Sequence, residues 1–356
     1  MRALIKPSPG PGLVLAEVPE PQVGPGEVKI RVAKTGLCGT DLQIMSWGDF
    51  AAEHVSPGQI IGHEFDGHIV DIGPGVELGT GAQRLREGAH VSVEGHIICG
   101  RCRNCRAGRR HMCVRTNSVG VDRDGAFADY VVVPADNVWV QPEVIDPELA
   151  ALFDPFGNAV HTALQFPLTG EDVLITGAGP IGIMAALIAR HGGARHVVIT
   201  DISDDRLALA KKAAEPVGPI VTVNSTRTSL AEVKRDLTIR EGFDAAMEMS
   251  GSPRAMADLI DACTHGAKVA LLGLPTAPYP VDWNKVITHM LTIQGVYGRD
   301  MYDTWYHSTF LLQSSPGLRE GLRSIITHRV DATDWEQAFD AAGAGDAGKV
   351  LIDWSK

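Results

Sequence analysis

Between residues 173 and 296 the sequence repeats one pattern, in which a short apolar run is followed by a helix-like segment. The predicted strands are Val173–Thr176, His196–Thr200, Ile220–Val223, Ala245–Met249, Lys268–Leu272 and Leu291–Val296. The predicted helices between them are Pro180–His191, Asp204–Ala214, Ser229–Leu237, Pro253–Cys263 and Trp283–Met290. Strands that alternate with crossover helices form a doubly wound parallel sheet. We therefore predict an α/β domain with such a sheet over residues 154–297.

The chain on either side of this domain has a different pattern. Up to about Phe153 it is rich in Gly and Pro and contains short alternating runs, such as Val28–Val32 and His90–Val93, which are typical of half-buried strands between turns. After Gly298 the pattern loosens, and Gly348–Trp354 is predicted to be a last strand that rejoins the first part. The 356 residues, 44% of them hydrophobic, suffice for two cores. We predict a β-rich domain from residues 1–153 and 298–356, into which the α/β domain is inserted.

Composition restricts the kind of partner. The chain has a formal net charge of −11 and no lysine-rich block, which argues against binding to nucleic acid or to an anionic membrane. The first residues do not form a leader, and the longest apolar stretch, within residues 181–189, is too short to cross a bilayer. We expect a small-molecule partner and a cytoplasmic location.

A glycine-rich turn follows the first predicted strand of the α/β domain. Gly177, Gly179 and Gly182 would let the backbone approach a pyrophosphate, whose charge the next helix N-terminus favours. Asp201 ends the second predicted strand, about 20 residues later, where a carboxylate can bind the ribose hydroxyls and repel a 2′-phosphate. This arrangement favours NAD over NADP. Arg206 could instead pair with such a phosphate, but we favour a stacking or surface role for it.

Four of the six cysteines are crowded together, at Cys99, Cys102, Cys105 and Cys113. Such crowding is a poor disulfide framework for a large cytosolic chain. Four thiolates at these spacings can close on one tetrahedral zinc, which would be structural because protein fills every position. The alternative is an iron–sulfur cluster, although the fourth cysteine of its bacterial form follows sooner and precedes a proline. Arginines at 101, 103, 106, 109 and 110 either partly neutralise the negative charge of the thiolates or form an exposed basic lobe.

A second set of candidate metal ligands is spread along the chain. Cys38, His63 and Glu64 lie in glycine-rich settings and supply sulfur, nitrogen and oxygen, as a catalytic zinc with an open position requires. A lone buried cysteine or histidine is otherwise usually core packing. Asp154, between the two predicted domains, is a candidate for a fourth or outer position. We expect a metal held there to face the nicotinamide.

Together these motifs resemble the zinc-containing medium-chain alcohol dehydrogenases over the whole chain. The resemblance rests on residues 36–41, on Gly62-His63-Glu64, on the four cysteines and on the nucleotide motif. More narrowly, the chain resembles the bacterial members that oxidise L-threonine. This likeness lies at residues 94–96, 153–162, 171–184, 297–299 and 304–306. The resemblance implies a GroES-like β-rich catalytic domain with an inserted Rossmann domain, two zinc ions per chain and a homotetramer.

The resemblance also implies roles for individual residues. It implies zinc ligation by Cys38, His63 and Glu64, with Asp154 tuning the metal site rather than necessarily touching zinc. The implied contacts with NAD come from Ile181, Asp201, Arg206, Leu272, Gly273, Leu274, Val296 and Tyr297.

The reaction that the resemblance implies is NAD-dependent oxidation of the 3-hydroxyl of L-threonine to 2-amino-3-oxobutanoate. A catalytic zinc lowers the pKa of such a hydroxyl, and its proton must then leave. In relatives the proton passes through the Thr40 hydroxyl to a histidine three residues later, but this chain has Gln43 there. Glutamine cannot gain and lose a proton near neutral pH. Either water or another group completes the relay, or the substrate is a different one.

Two other functions therefore stay open. One is a related zinc dehydrogenase of another β-hydroxy amino acid, an amino alcohol or a polyol. The other is a catalytically silent nicotinamide-binding protein, against which the intact set of Cys38, Thr40, His63 and Glu64 argues. The segment Gly79–Arg86 also departs from the family pattern and is predicted to be a surface loop.

Overall fold

The computed structural model describes residues 1–345 and 347–356, which divide into two compact units. The first unit comprises Met1–Asp154, Asp300–Gln313 and Ile326–Lys356, and the second comprises Pro155–Arg299 and Ser314–Ile325. The predicted domain boundaries stay a prediction. The segment Ser314–Ile325, assigned from the sequence to the first domain, lies in the second unit.

The first unit is rich in strands. Its strands are β1 (Arg2–Lys6), β2 (Val14–Glu17), β3 (Glu27–Gly36), β4 (Gln59–Ile60), β5 (Glu64–Ile72), β6 (His90–Val93), β7 (His96–Ile97), β8 (Asn117–Ser118), β9 (Tyr130–Pro134) and β10 (Val138–Val140), with β17 (Ile326–Asp331) and β18 (Lys349–Asp353). Its helices are α1 (Gly39–Ser46), α2 (Asp49–His54), α3 (Arg103–Arg106) and α4 (Pro147–Ala150), with α11 (Asp303–Ser314) and α13 (Trp335–Ala344). Short 3₁₀ turns lie at Gly81–Gln83, Arg110–Met112, Ala135–Asn137 and Ala332–Asp334.

The main sheet of the first unit has the strand order β10-β6-β5-β3-β18-β17, and β9 also pairs with β3. The strand β3 is central because alternate residues such as Val28, Ile30 and Val32 are buried against the core. β18 pairs with β3 in antiparallel register, so the last strand lies beside the first half of the chain. The segment Gly79–Arg86 is mostly exposed, but the Gln83 amide exchanges hydrogen bonds with the Val140 backbone (2.9 and 3.0 Å).

The second unit contains one six-stranded parallel sheet. Its strands are β11 (Asp172–Thr176), β12 (His196–Asp201), β13 (Val221–Asn224), β14 (Phe243–Glu248), β15 (Cys263–Leu271) and β16 (Thr292–Gly295). Its helices are α5 (Phe153–Ala163), whose first two residues belong to the first unit, α6 (Pro180–His191), α7 (Asp204–Ala214), α8 (Leu230–Asp236), α9 (Pro253–Ala262), α10 (Trp283–Thr288) and α12 (Pro316–Ile325). The order β13-β12-β11-β14-β15-β16 confirms the predicted doubly wound parallel sheet.

Local chemistry explains features of α6 and of β15. The helix α6 begins at a proline and buries every residue from Gly182 to Ala189, as an apolar helix against a parallel sheet must. β15 begins earlier than the predicted Lys268, because a register shift lets Cys263 pair with Phe243. Among the described residues, no helix combines the length and the apolar character that crossing a membrane requires.

Candidate metal centres and nucleotide site

Three neighbouring strands of the first unit bring the distributed metal-ligating residues together. Gly36, at the end of β3, pairs with Glu64 on one side and with Leu351 of β18 on the other. Cys38 follows β3, and His63 immediately precedes β5. The ligand atoms of Cys38, His63 and Glu64 consequently all lie within 4.8 Å of one another. Sulfur, nitrogen and oxygen at this spacing can hold a zinc ion.

The turn that presents His63 requires a glycine. Gly62 has a φ of +92°, which L side chains rarely adopt. A Cβ at this position would also lie 2.1 Å from the ring of Phe127. The backbone conformation and the neighbouring ring therefore both explain the glycine in the motif Gly62-His63-Glu64.

The buried carboxylate of Asp41 contacts both Cys38 and His63. Its Oδ2 accepts a hydrogen bond from the Cys38 amide (2.9 Å), and its Oδ1 lies 3.8 Å from His63 Nδ1. Within the described residues, neither Asp41 Oδ1 nor His63 Nδ1 has a hydrogen-bond partner. Burial raises the pKa of Asp41 to about 6. Asp41 has no predicted role from the sequence, although an acid in the first turn of a helix commonly caps it.

The site concentrates negative charge around His63. Burial lowers the pKa of His63, but the charges of Cys38 and Asp41 raise it well above its ordinary value. The charge of Asp154 acts in the same direction. A bound cation would be stabilised by the same charges, since metal ions compete with protons for such ligands. The donor set and its charge therefore fit zinc.

Glu64 is paired with a buried lysine. Lys349 Nζ donates hydrogen bonds to Glu64 Oε2 and to the carbonyl oxygen of Leu37 (2.8 Å). The side chains of Lys349 and Glu64 are only 5% and 2% exposed. Burial lowers the pKa of Lys349, but the negative charges of Glu64 and Cys38 raise it above its ordinary value. The pair fixes one carboxylate oxygen and leaves the other available to a metal.

The three predicted catalytic residues differ in how near they lie to the cluster. Thr40 Oγ1 lies 3.8 Å from Cys38 Sγ. Asp154 is buried at the start of α5. Both its Oδ2 atom and the Cβ atom of His63 lie beside Gly95: a Cβ added to Gly95 would be 3.9 Å from the first and 3.8 Å from the second. Gln43 is exposed, one turn after Thr40 in α1. Thr40 and Asp154 are therefore close to the metal-ligating set, whereas Gln43 faces solvent.

The four-cysteine lobe, residues 99–113, forms a second cluster of metal-ligating atoms. The sulfurs of Cys99, Cys102, Cys105 and Cys113 all lie within 4.8 Å of one another. The Cys99 amide donates to Cys113 Sγ (3.3 Å), and the Cys102 amide donates to Cys99 Sγ (3.4 Å). Backbone hydrogen bonds lower the pKa of Cys99 to about 6, whereas burial raises that of Cys105 to about 12. Four sulfurs so arranged fit a closed tetrahedral structural metal site.

A sixth arginine, Arg115, reaches the sulfurs of this lobe. Its guanidinium Nη2 lies 3.6 Å from Cys99 Sγ, and its amide donates to Cys113 Sγ (3.4 Å). The arginines at 101, 103, 106, 109 and 110 are exposed. Arg115 lies two residues after Cys113, so its closeness to the sulfurs could have been predicted from the sequence.

The glycine-rich turn lies between β11 and α6. A Cβ on Gly182 would lie 2.0 Å from the Gly177 carbonyl oxygen, so the helix packs this closely on the turn only with glycine there. Gly179 precedes the helix, and Ile181 lies in its first turn. The first amides of a helix have no partner within it and can bind a phosphate.

A cavity of about 720 Å³ opens beside this turn and is lined by Gly177, Asp201 and Arg206, among other residues. Asp201 Oδ2 accepts a hydrogen bond from the Ala178 amide (2.7 Å), and Oδ1 accepts one from the Ile202 amide (2.8 Å). Arg206 Nη1 lies 3.9 Å from Asp201 Oδ2. Arg206 Nε is buried and lacks a hydrogen-bond partner in the part of the chain described. A carboxylate at this strand end fits the adenosine ribose of NAD.

The other residues predicted to contact NAD follow two further strands. Leu272–Leu274 come directly after β15, and Val296 and Tyr297 come directly after β16. Carboxyl ends of parallel strands meet at one edge of the sheet, where the turn after β11 also lies. Leu274 and Tyr297 are 85% and 63% exposed. The structure thus brings these residues to one edge, and their contact with NAD stays a prediction.

Known proteins are similar to this chain along its full length. It is 52% identical over 355 residues to L-threonine 3-dehydrogenase of Streptomyces avermitilis, covering 100% of both chains. It is 53% identical to the protein of that name from Saccharopolyspora erythraea, covering 100% of this chain and 99% of the relative. Among solved structures, an E. coli CFT073 alcohol dehydrogenase complexed with NADH matches with a TM-score of 0.85 and 26% identity, covering 99% of each chain.

Two family descriptions match successive parts of the sequence. The alcohol dehydrogenase GroES-like domain matches residues 24–143, and the zinc-binding dehydrogenase family matches residues 180–313. These matches confirm the predicted fold class and the predicted family. The chain therefore belongs to the zinc-containing medium-chain alcohol dehydrogenases and is an oxidoreductase.

Proposed function

We propose that this chain is an NAD-dependent, zinc-assisted dehydrogenase that oxidises the 3-hydroxyl of L-threonine to 2-amino-3-oxobutanoate. The observation that carries the proposal is the cluster of Cys38, His63 and Glu64 in a chain 52% identical, end to end, to a protein named L-threonine 3-dehydrogenase. The carbon that bears the hydroxyl loses a hydride to the nicotinamide, and the hydroxyl loses a proton. The two hydrogens removed account for the ketone formed.

The cofactors are zinc and NAD. Zinc held by Cys38, His63 and Glu64 supplies a Lewis acid, and NAD supplies the hydride acceptor. In the second unit, Asp201 binds the ribose hydroxyls of the adenosine and repels a 2′-phosphate, which makes NAD the preferred dinucleotide. The E. coli relative in complex with NADH supports a nicotinamide cofactor. A second zinc, held by the four-cysteine lobe, is structural.

Within the first unit, Asp41 and Lys349 orient the zinc ligands and Thr40 handles the proton. The Asp41 carboxylate fixes the Cys38 amide, and Lys349 fixes Glu64. The Thr40 hydroxyl can both accept and donate a hydrogen bond beside Cys38, so it can take the substrate proton and pass it on. Gln43 lies exposed on the next turn, so water at this surface completes the transfer.

A rate comparison tests the proposed substrate. Purified zinc-loaded enzyme is assayed for NADH formation with L-threonine, L-allo-threonine, 3-hydroxy acids and polyols. We expect the highest kcat/KM with L-threonine, and no turnover by Cys38→Ser with any of them. Absence of NADH formation with L-threonine, alongside turnover of a polyol or another β-hydroxy amino acid, would replace threonine by that substrate. Absence of turnover with every alcohol would leave a silent nicotinamide-binding protein.

We also propose that the enzyme is a homotetramer. Supporting this, β16 is an edge strand of its sheet and follows α10, where Trp283 and Ile287 are 63% and 71% exposed, with Met290 at 80%. Apolar side chains beside an open sheet edge favour burial against another subunit. Light scattering after size exclusion should give four chain masses, and Ile287→Glu should give a smaller species. A monomeric wild type at micromolar concentration would contradict the assembly.

We place the enzyme in the cytoplasm. The supporting observation is that none of the six cysteines forms a disulfide, and that five of them are among the seven proposed metal ligands. Thiolate metal sites persist where thiols stay reduced. Fractionation of the source cells tests this location, and recovery of the protein outside the cytoplasm would contradict it.

A further inference from the structure

The carboxylate of Glu248 is buried at the carboxyl end of β14. The residue is 2% exposed, and among the described residues its side chain has hydrogen-bond donors but no cation paired with it. Isolated buried carboxylates are expensive and persist only where hydrogen bonds compensate for the lost water. The burial of the Glu248 carboxylate therefore requires a structural or functional explanation.

Neutral donors surround this carboxylate. Its Oε1 accepts hydrogen bonds from the Ser250 amide (2.9 Å), the Ser250 hydroxyl and Thr176 Oγ1 (3.3 Å). The Gly251 amide donates to both Oε1 (3.2 Å) and Oε2 (3.0 Å). These donors belong to two separate segments, the end of β11 and the loop that follows β14. One side chain thus ties the two segments together.

A third segment is attached through the backbone of the same residue. The amides of Leu272 and Gly273 both donate to the Glu248 carbonyl oxygen (3.0 Å each). The loop also packs on the side chain, since a Cβ on Gly273 would lie 2.4 Å from Glu248 Oε2. Glu248 consequently contacts the segments at the carboxyl ends of all three strands, β11, β14 and β15.

The segments at these strand ends contain residues proposed to bind the dinucleotide. Thr176 immediately precedes Gly177 of the glycine-rich turn, and Leu272–Leu274 form the loop after β15. Thr176 and Ser250 also line the 720 Å³ cavity beside Asp201. We propose that Glu248 is a positioning residue for NAD, which holds the three loops in the geometry that binds the dinucleotide. This inference rests on the proposed NAD-dependent function.

Glu248→Gln tests the inference with little change in shape. The Gln oxygen can keep the donors at the Oε1 position, but its NH₂ would face the Gly251 amide at the Oε2 position, and the hydrogen bonds from Thr176 and Ser250 would lose their charged acceptor. We expect the Kd and KM for NAD to rise about tenfold, as loss of hydrogen bonds to a charged group predicts, with kcat at saturating NAD within about twofold of wild type. Hydrogen exchange at residues 250, 251, 272 and 273 should be faster in the variant without NAD.

A matched control is Asp172→Asn. Asp172 is another buried carboxylate of this sheet, but it lies at the amino end of β11 and accepts hydrogen bonds from Arg195 and His196. We expect this variant to melt at a lower temperature while its Kd for NAD stays within about twofold of wild type. If Glu248→Gln does not fold, Thr176→Val and Ser250→Ala each remove one donor, and each should weaken NAD binding about two- to fivefold.

The outcomes separate this inference from the proposed function. A folded Glu248→Gln variant, or both donor variants, with wild-type affinity for NAD would overturn the positioning role alone. Equal weakening by Glu248→Gln and Asp172→Asn would also overturn it, because the effect would then follow general stability. A wild-type enzyme that binds no NAD in calorimetry would overturn the proposed function and this inference with it.

Discussion

The proposed route of the proton out of the active site lacks a titratable side chain at one position. Thr40 lies beside Cys38, but the exposed residue one turn later is Gln43, which does not titrate. If proton release limits turnover, Gln43→His should raise kcat about two- to tenfold above the pKa of the new imidazole. Full pH–rate profiles check this, with Gln43→Asn as the control that adds no titratable group. A Gln43→His variant no faster at any pH would show that water already completes the relay.

We propose that the charge of Asp201 sets the choice between NAD and NADP. Asp201→Asn keeps the size of the side chain and one oxygen acceptor, for either the Ala178 amide or the Ile202 amide, but removes the repulsion toward a 2′-phosphate. We expect the ratio of kcat/KM for NAD over NADP to fall about tenfold or more. Asp204→Asn, at an exposed carboxylate of the next helix paired with Arg227, should leave that ratio unchanged. Unaltered selectivity in Asp201→Asn would contradict the role.

Residues whose signal is local could be predicted from the sequence, and residues that act across the chain could not. The four cysteines are predictable because their spacing alone allows one metal site. Lys349 is not, because only the pairing of β18 with β3 brings it to Glu64, 285 residues away. Glu248 lies in an ordinary apolar strand pattern. Nothing in that pattern indicates that its side chain accepts hydrogen bonds from the loop around Ser250.

At the scale of elements, periodicity and turns predict the strands of the second unit, but they do not predict where every helix packs. The helix α12 buries Leu318 and Leu322 on one face, which would suit either unit. Its place in the second unit depends on close packing with α7, where a Cβ on Gly321 would lie 2.6 Å from the Ala213 carbonyl oxygen. Fit of this kind depends on three-dimensional shape, which the hydrophobic pattern does not record.

The pairing of β11 with β12 includes an acid-sensitive contact. Burial raises the pKa of Asp172, but hydrogen bonds from Arg195 and His196 lower it below its ordinary value overall. A lowered pKa contributes stability that is present above the ordinary value of about 3.9 and is lost as the pH falls through the folded-state value. Asp172→Asn should therefore be less stable than wild type at neutral pH and lose less stability below about pH 4. Urea unfolding from acid to neutral pH checks this, and parallel curves would contradict it.

At the scale of the whole molecule, the two metal sites should be separable. Cys99→Ser removes one ligand of the four-cysteine lobe and leaves the cluster of Cys38, His63 and Glu64 intact. We expect zinc per chain to fall from about two to about one and the melting temperature to fall, while activity before heating is retained. Cys263→Ser, at a buried thiol of the second unit, should keep both zinc ions. Loss of all zinc and all activity from Cys99→Ser would show that the sites are not independent.

The pairing of Lys349 with Glu64 also sets an order of events during synthesis. A ribosome adds Lys349 285 residues after Glu64, and it makes Pro155–Arg299 of the second unit in between. Since domains generally fold as units while a chain emerges, most of the second unit can form before the Glu64 carboxylate has its counter-charge. We therefore expect the catalytic zinc to be captured late, once translation has delivered the last strand.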